Sequence, residues 1–302
     1  MAVSRSLIVR PAAKINLTLR VGPRRADGFH DVRTLMQSVG ITDTLVFSPR
    51  RGPFALATRA PGVPADRTNL IWRAAARLWR VIGRAGDPRD VHVKLEKQIP
   101  TAAGLGGGSA DAAATLVALN TIWEGRRSRR DLMRLGSELG ADVPFFLQGG
   151  TALGTGKGDE IYPVDDIARL GVVVIKPSFG VSTADAYGWL DEDRMSGAAP
   201  GDGAPPPEGR EVDVGWPHGG ITLVNDLEAP VGRRHPGVNE IVAACRREGA
   251  LGAAMTGSGS AVFGLFSEAV ATKAARRLQR PDWLVMLTRT LSRREAGRRQ
   301  TV

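Results

Sequence analysis

Residues 100–114 read Pro-Thr-Ala-Ala-Gly-Leu-Gly-Gly-Gly-Ser-Ala-Asp-Ala-Ala-Ala, with four glycines and a serine packed into Gly104–Ser109. Upstream, Val91, Val93 and Leu95 alternate with His92, Lys94 and Glu96, the period of a half-buried strand that Pro100 brings to an end. Downstream, Ala112, Leu116, Leu119 and Trp123 recur at helical spacing and predict a core-facing stripe. Few folds accept the order strand, glycine loop, helix unless the loop has a use. Glycine lets backbone N–H groups turn toward a ligand and lets that ligand come close. The first turn of a helix supplies orphan donors and the positive end of the dipole. The pattern predicts a polyanion site, most simply for nucleotide phosphate. A flexible surface turn is the competing reading, and the flanking periodicities weigh against it.

Common fingerprints do not fit. A Walker loop needs Lys-Ser/Thr after the last glycine, whereas Gly108 is followed by Ser109-Ala110. A dinucleotide loop needs glycine at the position of Ser109. Gly154-Thr-Gly-Lys157 offers a Gly-Lys pair but continues with Gly158. Ser109 itself has two readings: a hydroxyl at the helix N-cap, or a contact to phosphate or to phosphate-bound magnesium.

The remaining chain alternates strands and helices. Residues 7–21 read as one N-terminal strand, followed by a turn at 22–28, and 44–48 reads as another strand. Asn69 is placed to cap a helix through Leu70, Ala74, Leu78 and Ile82. Ser128 and Asp131 are spaced as a capping box, with Gly140 placed to end that helix. Residues 171–175 predict a buried strand. Residues 238–248 predict a helix ending at Gly249, 261–266 a strand and 267–279 a helix. Residues 196–220, with five prolines and seven glycines, read as a loop-like insertion. The mixed order predicts an α+β chain, divided near residue 165 into domains 1–165 and 166–302.

With 302 residues and 42% hydrophobic content, the chain can bury a core without any apolar run long enough to span a membrane. The first ten residues lack the apolar stretch of a signal peptide, and the lone Cys245 excludes an internal disulfide, so a cytoplasmic location is expected. The four histidines show no metal-site spacing. The net charge of +10 permits nucleic-acid binding. Aromatics make up only 5% of residues and do not interleave with the basic cluster Arg289, Arg293, Arg294, Arg298 and Arg299, which reads as a solvated face.

Three ordered segments carry a resemblance: Pro11-Ala-Ala-Lys-Ile-Asn-Leu17, Pro100–Ala114 and Met255-Thr-Gly-Ser-Gly-Ser260. Together they resemble the GHMP kinases. Arg24–His30, Asp43-Thr-Leu45, Asn69-Leu-Ile71, Gly140–Phe145 and Asn225–Glu228 narrow the resemblance to the branch that phosphorylates diphosphocytidyl methylerythritol; homoserine- or mevalonate-type kinases are the neighbouring alternatives. The resemblance implies a first domain like ribosomal protein S5 domain 2 and a ferredoxin-like second domain, with ATP and substrate meeting between them. It implies ATP as co-substrate with Mg2+, and a small-molecule partner rather than a membrane or nucleic acid.

By the same resemblance, Lys14 and Asp142 are the catalytic pair. Pro100, Thr101, Ala102, Ala103, Gly104, Leu105, Gly106, Gly107, Gly108, Ser109 and Ala110 form the ATP-phosphate loop, with Asn69 bordering the adenine. Asn16, Phe29 and His30 hold the cytidine end, Thr183 and Tyr187 bind substrate from a substrate-side loop with Tyr187 also placed to stack on the base, and Thr256–Gly259 supports the phosphates from the second domain. Three departures stand out: Ala110 where a second serine is common, Phe29 where tyrosine is common, and Met36 where an aromatic is common. Read from the residues alone, each position has a plainer alternative. Lys14 is then an edge-strand lysine facing solvent, Asp142 a cap, His30 a surface histidine, Asn69 a helix start and Thr256–Gly259 a tight turn.

Overall fold

The computed structural model describes residues 6–199 and 223–300. Most of the expected 196–220 insertion lies outside the described residues. Strands β1 (Leu7–Val9), β2 (Ala12–Arg24), β3 (His30–Thr42), β4 (Thr44–Pro53) and β5 (Ala55–Thr58) precede helix α1 (Leu70–Val81) and strand β6 (Arg89–Glu96). Helices α2 (Gly107–Ile122), α3 (Arg129–Leu139) and α4 (Val143–Gln148) lead to strands β7 (Thr151–Thr155), β8 (Glu160–Pro163) and β9 (Gly171–Pro177). Then come α5 (Thr183–Met195), β10 (Val224–Asn225), α6 (Glu228–Arg234), α7 (Gly237–Arg247), β11 (Gly252–Met255), β12 (Val262–Phe266), α8 (Glu268–Arg277), β13 (Trp283–Arg289) and α9 (Arg293–Gln300).

The architecture is α+β, built on three sheets ordered β1-β4-β6-β5, β10-β2-β3-β7-β8 and β11-β12-β9-β13. The single strand expected over 7–21 is two. β1 pairs with β4 in the first sheet, and β2 pairs with β3 in the second. The change of sheet falls at Arg10-Pro11, where Pro11 has no N–H to continue a ladder. The expected turn at 22–28 shortens to its tip, because β2 runs through Arg24 before Gly28 turns at φ +85°.

Strand alternation sorts β2 by chemistry. Ala13, Ile15 and Leu17 pack with Val172, Val174 and Phe263 of the third sheet. Lys14 and Asn16 therefore point to the opposite face, and that face is covered as well: both residues are buried. Helix α2 departs from the single stripe expected for it. It is buried nearly all round, because its alanines let it pack closely on α1, α3 and α4. Asn69 caps α1, accepting from Ile71 N–H at 2.9 Å. Ser128 and Asp131 close a capping box on α3, and Gly140 ends it.

β10 adds in parallel to β2, so the second half of the chain reaches back into the first. After β13, Leu291 N–H donates to Ser38 C=O at 2.9 Å, Ala296 of α9 lies against Gly149, and Arg10 N–H donates to Arg299 C=O. Cys245 is buried, and burial pushes its thiol up to about 12, an unreactive core residue. Among the described residues no helix is long and apolar enough to cross a membrane.

Candidate active site

The glycine loop is held open by close backbone approach rather than by looseness. Gly104 and Gly106 both adopt φ +72°. A Cβ on Gly104 would lie 2.0 Å from the Thr256 carbonyl oxygen, and one on Gly106 would lie 2.5 Å from Cζ of Phe146. Leu105 C=O accepts from Lys14 N–H at 3.1 Å, tying the loop to β2. The first α2 ladder bond runs from Ala110 N–H to Gly106 C=O. The N–H groups of Gly107, Gly108 and Ser109 thus precede the ladder at the positive end of the helix. Ser109 is the third helical residue and not the cap; left-handed Gly106 takes the cap position, with no side-chain bond.

Lys14 and Asp142 meet across the cleft that this loop borders. Lys14 is 3% exposed, and its ammonium lies 3.5 Å from Asp142 Oδ2 and donates to Asn16 Oδ1 at 2.6 Å. Asn16 Nδ2 in turn donates to Thr34 Oγ1 at 2.7 Å, which fixes the amide's orientation. Asp142 precedes α4 at the cap position but makes no side-chain cap bond. Its carboxylate, 36% exposed, faces Lys14 and the cleft instead. The solvent-facing lysine and the capping aspartate are both ruled out by this placement.

The cleft is about 910 Å3, and its walls come from both halves of the chain. Residues 100–109 line it, as do Lys14, Asn16, Phe29, His30, Asp142, Thr183 and Tyr187. Two expected members do not. Ala110, in the first turn of α2, is fully buried, and Asn69 spends its carbonyl on the cap and its amide on Pro64 C=O. Met36 packs in the core away from the cleft, so its departure from the family pattern does not alter the cleft wall.

At the far end, His30 is buried and not on the surface. Its Nε2 is 2.9 Å from Asp191 Oδ1, and Tyr187 packs on its ring at 5.1 Å. Burial, helped by the Asp142 charge, raises the Tyr187 phenol above its ordinary value and keeps it neutral. Phe29 is 57% exposed, with the Lys157 ammonium over its ring at 4.3 Å. Lys157, the residue of the failed Gly-Lys motif, thus belongs to the cleft.

The Thr256–Gly259 turn reaches the glycine loop from the second half. Thr256 Oγ1 accepts from Asn16 N–H at 3.0 Å, and Thr183 Oγ1 is 3.2 Å from Ser258 Oγ. Asn225 Nδ2 braces the turn through Met255 C=O and Gly257 C=O, and Glu228 accepts from Met255 N–H. The segment 225–228 was visible in the sequence without this role.

Sequence reasoning missed a buried triad beneath the loop. Lys97 donates to Asp43 Oδ2 at 2.5 Å and to Asp111 Oδ2 at 2.9 Å, while Asp43 Oδ1 accepts from the N–H groups of Gln98 and Ile99. Burial opposes the Lys97 charge, but the pull of Asp111 and Asp43 outweighs it and holds the lysine above its usual value. Burial pushes Asp111 well up, and its Oδ1 is buried with no partner. Removing the ammonium leaves Asp43 as an uncompensated buried charge. Lys97→Met is expected to lower unfolding stability by about 3–5 kcal/mol, read from urea melts; an unchanged midpoint would show that the triad contributes nothing net. Asp43 and Asp111 stood in segments the sequence had marked, but nothing local joined them to Lys97, three residues before Pro100.

Comparison with known proteins shows the family. The model for the GHMP kinases N terminal domain matches residues 69–150, and that for the GHMP kinases C terminal domain matches 213–281. The chain is 44% identical over 284 residues to a 4-diphosphocytidyl-2-C-methyl-D-erythritol kinase of Moorella thermoacetica, covering 92% of this chain and 96% of the relative. It is 42% identical over 294 residues to the enzyme of that name from Pelotomaculum thermopropionicum, covering 93% and 97%. Among solved structures it resembles a 4-(cytidine 5'-diphospho)-2C-methyl-D-erythritol kinase, with TM-score 0.77, 34% identity and coverage of 94% and 99%. Homoserine kinase from Cytophaga hutchinsonii shares the fold at TM-score 0.71 and 19% identity, with coverage of 97% and 96%.

Proposed function

The chain belongs to the GHMP kinases, and from that membership and the cleft we infer that it transfers the γ-phosphoryl group of ATP to the 2-hydroxyl of 4-diphosphocytidyl-2-C-methyl-D-erythritol. The product is an intermediate of non-mevalonate isoprenoid precursor biosynthesis. The observation that carries the kinase reading is the Lys14–Asp142 pair at 3.5 Å, facing a glycine loop across one cleft. Names shared by the relatives at 44% and 42% identity support the substrate.

Phosphoryl transfer asks a protein mainly for positioning and charge stabilisation. The N–H groups of Gly107, Gly108 and Ser109 receive the ATP phosphates; with no Cβ on Gly106, the backbone can come close. Asp142 accepts a hydrogen bond from the acceptor hydroxyl, orients it toward the γ-phosphorus and takes its proton. The buried Lys14 ammonium pairs with the Asp142 carboxylate and offsets charge on the transferred group. Asn16 and Thr34 hold Lys14 in place. Among the described residues no group of three or more His, Cys, Asp or Glu side chains is gathered to hold a metal. Mg2+ would come with ATP, and the Ser109 hydroxyl, which lines the cleft beside the glycine loop, is a protein oxygen that could meet it.

Phe29 and Tyr187 offer aromatic faces to cytosine. In the tautomer that donates from Nε2 to the Asp191 carboxylate, His30 offers Nδ1 as an acceptor for the exocyclic amino group. We place the domain division at residue 165, with β10 crossing back into the first domain, and the enzyme in the cytoplasm. A nucleic-acid role is less well supported. Several surface arginines are paired with carboxylates, as in Arg25–Asp31, Arg77–Glu138, Arg169–Glu268 and Arg280–Glu240.

An ADP-release assay offering the diphosphocytidyl substrate, homoserine and mevalonate side by side tests the proposal. Turnover with the first alone is expected. Turnover only with homoserine or mevalonate would overturn the substrate and leave the kinase. In the same assay His30→Ala is expected to raise the acceptor KM about tenfold or more, the worth of one lost hydrogen bond in a dry pocket, with the ATP KM little changed.

A further inference from the structure

The arginine-rich C-terminus has no part in the chemistry above, yet it is built into the scaffold that carries it. Lys14 pairs across β2–β3 with Ser38. Ser38 N–H donates to Gly150 C=O at 2.9 Å, Ser38 Oγ accepts from Gly150 N–H at 3.1 Å, and Ser38 C=O accepts from Leu291 N–H. Gln37 joins the same node, donating to Leu291 C=O at 2.8 Å and accepting from Thr151 Oγ1 at 2.6 Å. One small hub therefore links the Lys14 strand, the turn that ends α4, and the tail.

Arg293 grips the other side of that turn. Its guanidinium donates to Val164 C=O at 2.6 Å and Thr151 C=O at 3.3 Å. Its N–H donates to Asp166 Oδ2 at 2.9 Å, and Asp166 Oδ1 accepts from Thr151 N–H. The fit is close: a Cβ on Gly149 would lie 2.9 Å from Ala296 Cβ, and one on Gly150 would lie 2.7 Å from Arg293. Glu295 secures the start of α9, accepting from Ser292 N–H at 3.0 Å and from Arg289 at 2.8 Å; these bonds hold its carboxyl down at about 2. At the front of α4, one short helix away, stands Asp142.

We propose that the tail sets the Lys14–Asp142 separation, with Arg293 as a positioning residue that holds the rear of α4 against the Lys14 strand. A six-residue helix transmits a shift at Gly149–Gly150 directly to Asp142, and misplacement of a catalytic group by about 1 Å can cost about 10²-fold in rate. His30 stands at the opposite end of β3 from Ser38 and the glycine loop precedes a different helix, so binding is affected less than the chemical step.

The proposal rests on the Lys14–Asp142 reading, and the test separates the two. Arg293→Ala, Arg293→Lys, the exposed control Arg294→Ala and Asp142→Asn are compared at a temperature well below every thermal midpoint. Arg293→Ala is expected to lose about tenfold or more in kcat with both KM values within about twofold. Arg293→Lys, keeping one cation at the two carbonyls, recovers part of the loss, and Arg294→Ala behaves as wild type. Should Arg293→Ala not fold, Ala296→Leu, which overpacks the Gly149 contact without removing a bond, decides by the same split. Wild-type kcat in a folded tail variant, or a loss shared equally by kcat and the KM values, overturns the proposal. An active Asp142→Asn instead overturns the reading beneath it.

Discussion

Asp142→Asn is expected to lower kcat by about 10²–10⁴-fold, the usual worth of a positioned base, while ATP binding stays within about twofold. The substitution keeps the shape and removes the charge. The carboxylate is part-exposed, makes no cap bond and, among the described residues, pairs only with Lys14. Lys14 keeps its bond to Asn16 in the variant, so the buried ammonium is not stranded. Lys14→Met is expected to produce a loss of similar size, and the double variant little more than either single one, because the two groups act as a unit. Single-turnover kinetics with ATP titrations check this. Near-wild-type turnover in pure Asp142→Asn would remove it from the chemistry, and simple multiplication of the two losses would show that the pair does not act together.

Gly104→Ala is expected to be the most damaging small change in the chain. At φ +72° an alanine is strained whatever the space, at about 1–3 kcal/mol. Its Cβ would also sit 2.0 Å from the Thr256 carbonyl, a backbone atom that cannot rotate away. The glycine loop and the 256–259 turn must then part, at a further cost of about 1–3 kcal/mol, and the phosphate cradle opens. A stability loss and a rise of about tenfold or more in the ATP KM should appear together, since 1.4 kcal/mol of binding is a factor of ten. Gly108→Ala is the contrast. Its Cβ would meet only Leu70 Cδ1, at an ordinary 3.6 Å. In a helix the exchange is worth up to about 1 kcal/mol in favour of alanine. Urea melts of the two variants check this pair, and equal melts would contradict the close approach of the two loops.

These expectations draw unequally on sequence and structure. Helix starts were legible at Asn69 and at Ser128–Asp131 because a cap is a local device, read within three residues. The glycine loop was legible for the same reason, and its failure to match the common fingerprints was itself informative. Ser109 was misplaced by three positions because a left-handed glycine can begin a helix without any side-chain cap, leaving no polar residue to mark the place. The strand break at Pro11 was missed because apolar alternation continues on both sides while the hydrogen-bonding partner changes.

By itself, then, the sequence determined the α+β order, the glycine loop and the family, all of which rest on neighbours along the chain. What only the tertiary structure decided is where polar residues within apolar elements go. Lys14 on an alternating strand reads equally as solvent-facing or as buried with a partner, since a period of two reports that its face differs from that of Ile15 and says nothing of what covers it. The cover comes from distant segments: Asp142 for Lys14, Asp191 for His30, Asp43 and Asp111 for Lys97, and Val164 and Thr151 for Arg293. Each buried charge demands a partner, and that demand can be anticipated from one residue, but the partner is chosen only when the chain has closed.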